Sequence, residues 1–205
     1  MMQRHASRLF SIRRTSRAWL DEEGGLAAAE MALILPVALL IMSLIVFGGQ
    51  AFGVQRKVTL AATTVADIFA QANNNGLATI TAAELNQILS YPNLILYPYD
   101  ASAVQVRVSQ LLVTTQNGAT TGTVQGSWPN SNWTARTTGT QLLVDPSIAA
   151  AFTCATPPNC PNSYVVLGEV QYPFQPTGIY FSVGTMTLHD SIIMIPRVAS
   201  PITVQ

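Results

Sequence analysis

The chain is short of charge, of histidine and of cysteine, and each scarcity removes a class of function. Only 10% of its 205 residues are charged, ten basic against ten acidic, so the formal net charge is zero. Such a surface has no strong field with which to gather a polyanion, and nucleic acid is not an expected partner. The only histidines are His5 and His189, which leaves no second ligand pair to join Cys154 and Cys160 around a structural zinc ion. Gly-x-Ser-x-Gly, Walker, dinucleotide-fingerprint and HExxH motifs are all missing. Beyond the first quarter of the chain the acids are Asp67, Glu84, Asp100, Asp145, Glu169 and Asp190, joined by one histidine. His189-Asp190 is the obvious acid-base pair, but neighbours on a strand point to opposite faces and do not converge. The expectation is therefore a protein without catalysis, cofactor or small-molecule substrate.

The charge that is present is unevenly placed. Arg4, Arg8, Arg13, Arg14 and Arg17 supply half of the ten basic residues, and Lys57 is the single lysine. Past them, Leu26 to Val54 reads LAAAEMALILPVALLIMSLIVFGGQAFGV, in which Glu30 is the only charged residue. About 20 apolar residues cross a bilayer core of roughly 30 Å, so this run is long enough to span. The arginines before it outnumber Arg56 and Lys57 after it, which places the N-terminus in the cytoplasm and everything from about residue 55 outside. A secretory signal peptide is the rival reading. Its apolar core usually runs about 7 to 15 residues, and Ala51-Phe52-Gly53 makes a poor cleavage site. The length of the chain then leaves room for one domain beyond the anchor.

A carboxylate inside a membrane segment costs about 2.5 kcal/mol or more near the bilayer centre, so Glu30 needs an explanation. One is that it sits at headgroup level, where it also favours the positive end of the helix dipole. The other comes from its position five residues after Gly25, at the head of the apolar run. This arrangement resembles the processing site of type IV prepilins, in which a membrane peptidase cuts after the Gly and leaves Glu as the fifth mature residue. Leu26 would become the new N-terminus, and its ammonium group could pair with Glu30 of a neighbouring subunit, offsetting both desolvation costs and setting register. The wider stretch DEEGGLAAAEMALILPVALLIMSLIVFG resembles the N-terminus of TadE-like proteins, minor pseudopilins of the tight-adherence (Flp) pilus apparatus. The segments Glu169 to Pro176 and Ile193 to Arg197 are similar to the closing strands of that family. The resemblance implies a membrane-anchored assembly protein whose partners are the inner membrane, a prepilin peptidase, and pilus subunits or assembly platform proteins.

Four regions follow: a basic cytoplasmic leader (1–25), a transmembrane segment (26–54), an extension of the long helix (55–76) and an exported α+β domain (77–205). The extension rests on Val54, Val58, Leu60, Ala61, Val65, Ile68 and Phe69 near one face at three-to-four spacing. Asn73-Asn74-Asn75-Gly76 ends the helix, and Pro36 is a candidate kink. Thr81-Ala82-Ala83-Glu84 reads as a capping box opening a short helix to about Leu89. Val104, Val106 and Val108 then alternate with polar residues, the pattern of a half-buried strand. Asn117-Gly118 signals a turn into a second arm from Thr121 to Trp128, with further strands over Tyr164 to Tyr172 and Gly184 to Ile195. An antiparallel sheet is expected, and the long helix lying on it is the pilin-like plan that the resemblance implies.

If the domain is exported, an oxidising compartment favours a disulfide between Cys154 and Cys160, and otherwise both remain free thiols. Trp128, Trp133, Tyr97 and Tyr99 are candidates for a ligand or partner platform, although aromatic residues more often pack a core or its rim. That platform defines the competing function: an uncleaved bitopic envelope protein presenting a ligand- or partner-binding domain.

Overall fold

The structure, a computed structural model, describes residues 23–72, 77–116, 119–145, 147, 163–176, 184–197 and 201–205. The expected helix stop at 73–76, the turn at 117–118 and the cysteine loop with Cys154 and Cys160 lie outside them, as do the N-terminal arginines. The chain divides into two compact units, Met1–Gly49 and Gln50–Gln205.

Helix α1 runs over Glu23–Ala70 with Pro36 inside it. Its hydroxyl side chains fold back on the helix rather than compete with it: Ser43 donates to the Leu39 carbonyl at 2.8 Å, Thr63 to Thr59 at 2.8 Å and Thr64 to Leu60 at 2.7 Å. For Ser43, inside the apolar run, this satisfies a hydroxyl that an apolar solvent would otherwise penalise. At its C-terminal end, the Arg197 amide donates to the Ala70 carbonyl at 3.0 Å, supplying a partner to a group that a helix end leaves unpaired.

In the larger unit α1 is a core element. Val54, Val58, Ala61, Val65 and Phe69 recur at three-to-four spacing and are fully buried, whereas Leu60, expected on the same face, is exposed because it precedes Ala61 by about 100° around the helix. They meet Val106, Val108, Val166, Val170, Tyr172 and Phe174, which alternate along two central strands. Gly168 sets the closeness of that approach. A Cβ there would come within 2.7 Å of the Ala66 Cβ and 3.0 Å of the Ala62 carbonyl oxygen.

Five antiparallel strands form the sheet: β2 (Gln105–Gln116), β3 (Ala119–Pro129), β4 (Gln141–Leu143), β5 (Ser163–Phe174) and β6 (Met186–Met194), in the order β4-β3-β2-β5-β6. The α+β architecture read from the sequence, a long apolar helix followed by an antiparallel sheet, is the one observed. A bulge between Gln110 and Leu111 interrupts the β2–β3 register. The face away from α1 carries a second, smaller cluster of Leu111, Val113, Val124, Val144, Val165 and Leu167. The sheet curls around this face, because a concavity of ≈ 530 Å³ is lined from β4, β2, β5 and β6 alike.

Helix α2 (Ala82–Ile95) opens on the expected capping box: the Glu84 amide donates to Thr81 Oγ1 at 3.2 Å and the Thr81 amide to Glu84 Oε2 at 2.9 Å. It runs beyond Leu89 through Pro92. Burial of Leu85, Ile88, Leu89 and Pro92 on one side holds that last turn despite the lost amide donor. A two-stranded parallel ladder, β1 (Thr79–Ile80) with β7 (Thr203–Val204), ties the C-terminal residues to the start of α2. The Ala82 amide extends it by donating to the Gln205 carbonyl at 2.8 Å.

Candidate functional site

The residues expected to carry processing and register lie at the start of α1. Gly25 and Glu30 are exposed on the helix, and Leu26 follows Gly25 within it. Among the described residues Glu30 makes no hydrogen bond or ion pair. The helix Ala27–Ala70 is long and apolar enough to cross a membrane, with a mean hydropathy of 2.7 in its most apolar stretch. From Met31 to Val46 it leaves its large side chains exposed all round, the pattern of a helix that meets an apolar solvent.

A second polar assembly lies on the far face of the sheet. Arg107 on β2 and Glu169 on β5 are cross-strand partners in register. Glu169, 3% exposed, accepts from Arg107 Nε at 2.9 Å and forms an ion pair with its Nη2 at 2.9 Å. Arg136, from the segment after β3, grips the same carboxylate in a fork, Nε to Oε2 at 3.0 Å and Nη2 to Oε1 at 2.6 Å. Burial pushes the Glu169 carboxyl up, but the hydrogen bonds and positive charges of Arg136 and Arg107 outweigh it and leave it below the ordinary carboxylate range. The same fork raises Arg136. Arg107 Nη1 also donates to the Thr134 carbonyl at 3.1 Å, and its guanidinium lies 4.1 Å from the centre of the Trp133 ring. Asn130 and Asn132 stitch this segment to the start of β2 through the Val104 carbonyl, at 2.8 and 3.0 Å.

Chemically the assembly is a clamp. Both oxygens of Glu169 are engaged by arginine, which favours the ionised carboxylate and fixes its orientation. His189 Nε2 stands 4.0 Å from Glu169 Oε1, edge-on to Trp133. Asp190 turns to the other face, where Thr59 Oγ1 of α1 donates to it. The sequence argument that His189 and Asp190 diverge thus describes their geometry. The aromatic candidates divide in the same way. Trp128 packs against Phe69 on the helix side, with ring centres 5.3 Å apart, whereas Trp133 covers Arg107 on the opposite face. Tyr99 stands edge-on to Phe174 in the core rim, and Tyr97 is exposed.

Sequence reasoning named Glu169 as one of six acids, as the head of a TadE-like closing segment and, with Asp145 and His189, as the lining a catalytic pocket would need; Glu169 and His189 do line the concavity, but no partner was read for Glu169. The available signal was Arg107 between Val106 and Val108, which marks a face but not a partner. No curated protein and no solved structure matches this chain. Residues 25–67, from Gly25 through most of α1, match the family model described as TadE-like protein, and over that stretch the likeness read from the sequence is shown.

Proposed function

We propose that the chain is a membrane-anchored minor pseudopilin or assembly factor in tight-adherence (Flp) type IV pilus biogenesis. The observation that carries this reading is the coincidence of the TadE-like match at 25–67 with a single apolar helix of membrane-crossing length. In it, residues 1–25 are a cytoplasmic leader, 26–54 cross the inner membrane, 55–76 extend the helix and 77–205 form the domain outside, with Cys154 and Cys160 joined as a disulfide. A prepilin peptidase cuts between Gly25 and Leu26. Glu30, exposed and without an ion pair among the described residues, takes the Leu26 ammonium of a neighbour and fixes register among pilus subunits or platform proteins. The role is assembly rather than catalysis.

Mass and N-terminal analysis of membrane-extracted protein tests the processing step: a start at Leu26 supports it, and a start near Val54 overturns both anchor and register. Glu30→Ala keeps the segment apolar, so insertion should persist while piliation fails; normal piliation in this variant excludes the register role. The alternative, an uncleaved bitopic protein presenting a binding domain, draws support from the ≈ 530 Å³ concavity lined by Leu111, Leu142, Val144, Leu167, Ile193 and His189. An intact N-terminus together with normal piliation after Glu30→Ala would favour it.

A further inference from the structure

The far face of the sheet holds more positive charge than its own acids answer. Arg107 and Arg136 converge there on one carboxylate, that of Glu169. The neighbouring acids turn elsewhere: Asp190 takes the Thr59 hydroxyl on the helix side, and Asp145, beyond β4, takes the Ser147 amide at 2.8 Å. Among the described residues two guanidinium groups therefore share a single counter-charge, and one positive charge is left over.

That charge faces a ligand-sized space. Arg136, Glu169, His189 and Ser191 line the ≈ 530 Å³ concavity together with aliphatic side chains. Leu111 and Leu167 are buried and form its floor, whereas Leu142 and Ile193 are half-buried and Leu143 is exposed. Arg107 and Glu169 are buried too, but Arg136 keeps 25% of its side chain exposed and His189 45%. Arg136 spends Nε and Nη2 on Glu169, while its Nη1 makes no hydrogen bond among the described residues. A guanidinium forked onto a buried carboxylate is already oriented, so little side-chain freedom is lost when an anion arrives.

Size and charge select the occupant. A concavity of this volume offers a wall of roughly 300 Å², well short of the about 800 Å² per partner of a stable protein interface, yet the volume is ordinary for a small-molecule site. One surplus charge matches a monoanion such as a carboxylate better than a phosphate monoester, which carries about −1.5 to −2 at pH 7. The aliphatic lining matches a hydrocarbon chain.

We infer that the far-face concavity binds a single-chain aliphatic carboxylate, its acid group on Arg136 beside His189 and Ser191 and its hydrocarbon on Leu111, Leu142, Leu167 and Ile193. The inference gives a ligand class to the space that supports the binding-domain reading, and it holds equally for a pilus assembly protein because none of these residues belongs to α1. The N-terminus and the piliation phenotype decide between those two readings, and neither bears on this site.

The test is equilibrium dialysis of radiolabelled decanoate against the full-length chain in phosphatidylcholine nanodiscs, with uptake by empty nanodiscs subtracted. A chain that does not enter the discs is dialysed free. Decanol and decyltrimethylammonium, which carry the same hydrocarbon without the anion, serve as competitors. The expected result is saturable binding of one decanoate per chain that neither competitor displaces. Arg136→Gln should weaken it at least about tenfold. Ser191→Trp, which fills the concavity from an exposed position and leaves the clamp whole, should abolish it. Circular dichroism checks that each variant is folded, and Ser191→Trp decides alone if Arg136→Gln is not. Uptake no greater than that of empty nanodiscs, displacement by decanol, or unchanged binding in Ser191→Trp overturns the site. Binding of a blocked five-residue peptide of leucine, valine and one glutamate in place of decanoate overturns it in favour of a protein segment.

Discussion

The two halves of α1 are built from similar residues and have opposite surroundings. Met31 to Val46 carries Leu, Ile, Val and Met around the whole circumference, and they stay exposed in the folded chain. The later half gathers Val54, Val58, Val65 and Phe69 on one side, and these are fully buried against the sheet. Circumferential apolarity specifies a solvent, whereas a stripe specifies a protein partner. One helix therefore reads as two functional segments, and the change occurs at the Gly48–Val54 stretch where the apolar run closes.

The sharpest way to break this comparison is to truncate an aromatic side chain in each setting. Phe69→Ala should destabilise the sheet domain by about 3–5 kcal/mol, while Phe52→Ala should stay within about 0.5 kcal/mol. Urea unfolding of the detergent-solubilised chain, followed by near-UV circular dichroism, measures both. Similar losses at the two positions would erase the distinction between the halves.

Comparable in size is Glu169→Gln, which leaves two guanidinium groups on the far face without their counter-charge and should cost about 3–5 kcal/mol. The carboxyl is depressed in the folded protein, so its contribution is full above the unfolded value of about 4.5 and is lost as pH falls through the lower folded value. Urea midpoints measured down to acid pH should fall in that window for the parent chain. They should flatten there for Glu169→Gln.

A smaller effect tests how closely helix and sheet approach. Gly168→Ala places a methyl group 2.7 Å from the Ala66 Cβ, and the shift this forces should cost about 1–3 kcal/mol. The same urea series checks it, and a neutral result would mean that the helix rests less tightly on β5. Smallest is Thr81→Ala, which removes the reciprocal cap of α2 and should cost about 1 kcal/mol. Hydrogen exchange at Glu84 and Leu85 should report it locally before the global midpoint moves.

Much of the helical and strand content was legible because it is written in periodicity. The three-to-four stripe of Val54 to Phe69, the capping residues Thr81 and Glu84, and the alternation at Val104 to Val108 all depend on residues near one another in the chain. The sequence reading carried α2 only to about Leu89; packing of Ile88 and Pro92 into the core carries the helix to Ile95. The β1–β7 ladder and β4, of two and three residues, are too short to show a period at all.

The sequence by itself determined that one segment suits a bilayer, that a striped helix and an antiparallel sheet follow it, and that Gly25 and Glu30 stand in a TadE-like arrangement. These are local properties, set by side-chain chemistry at fixed spacing along a backbone of known rise. Only the tertiary structure decided that Glu169 meets Arg107 and Arg136, since that meeting depends on the register of β5 against β2 and on the path of a loop. It alone decided, too, that Lys57 meets the carbonyls of Ile95 and Tyr97 at the end of α2. Contacts between residues 38 or 62 positions apart are fixed by the packing of the whole core, which no local pattern encodes.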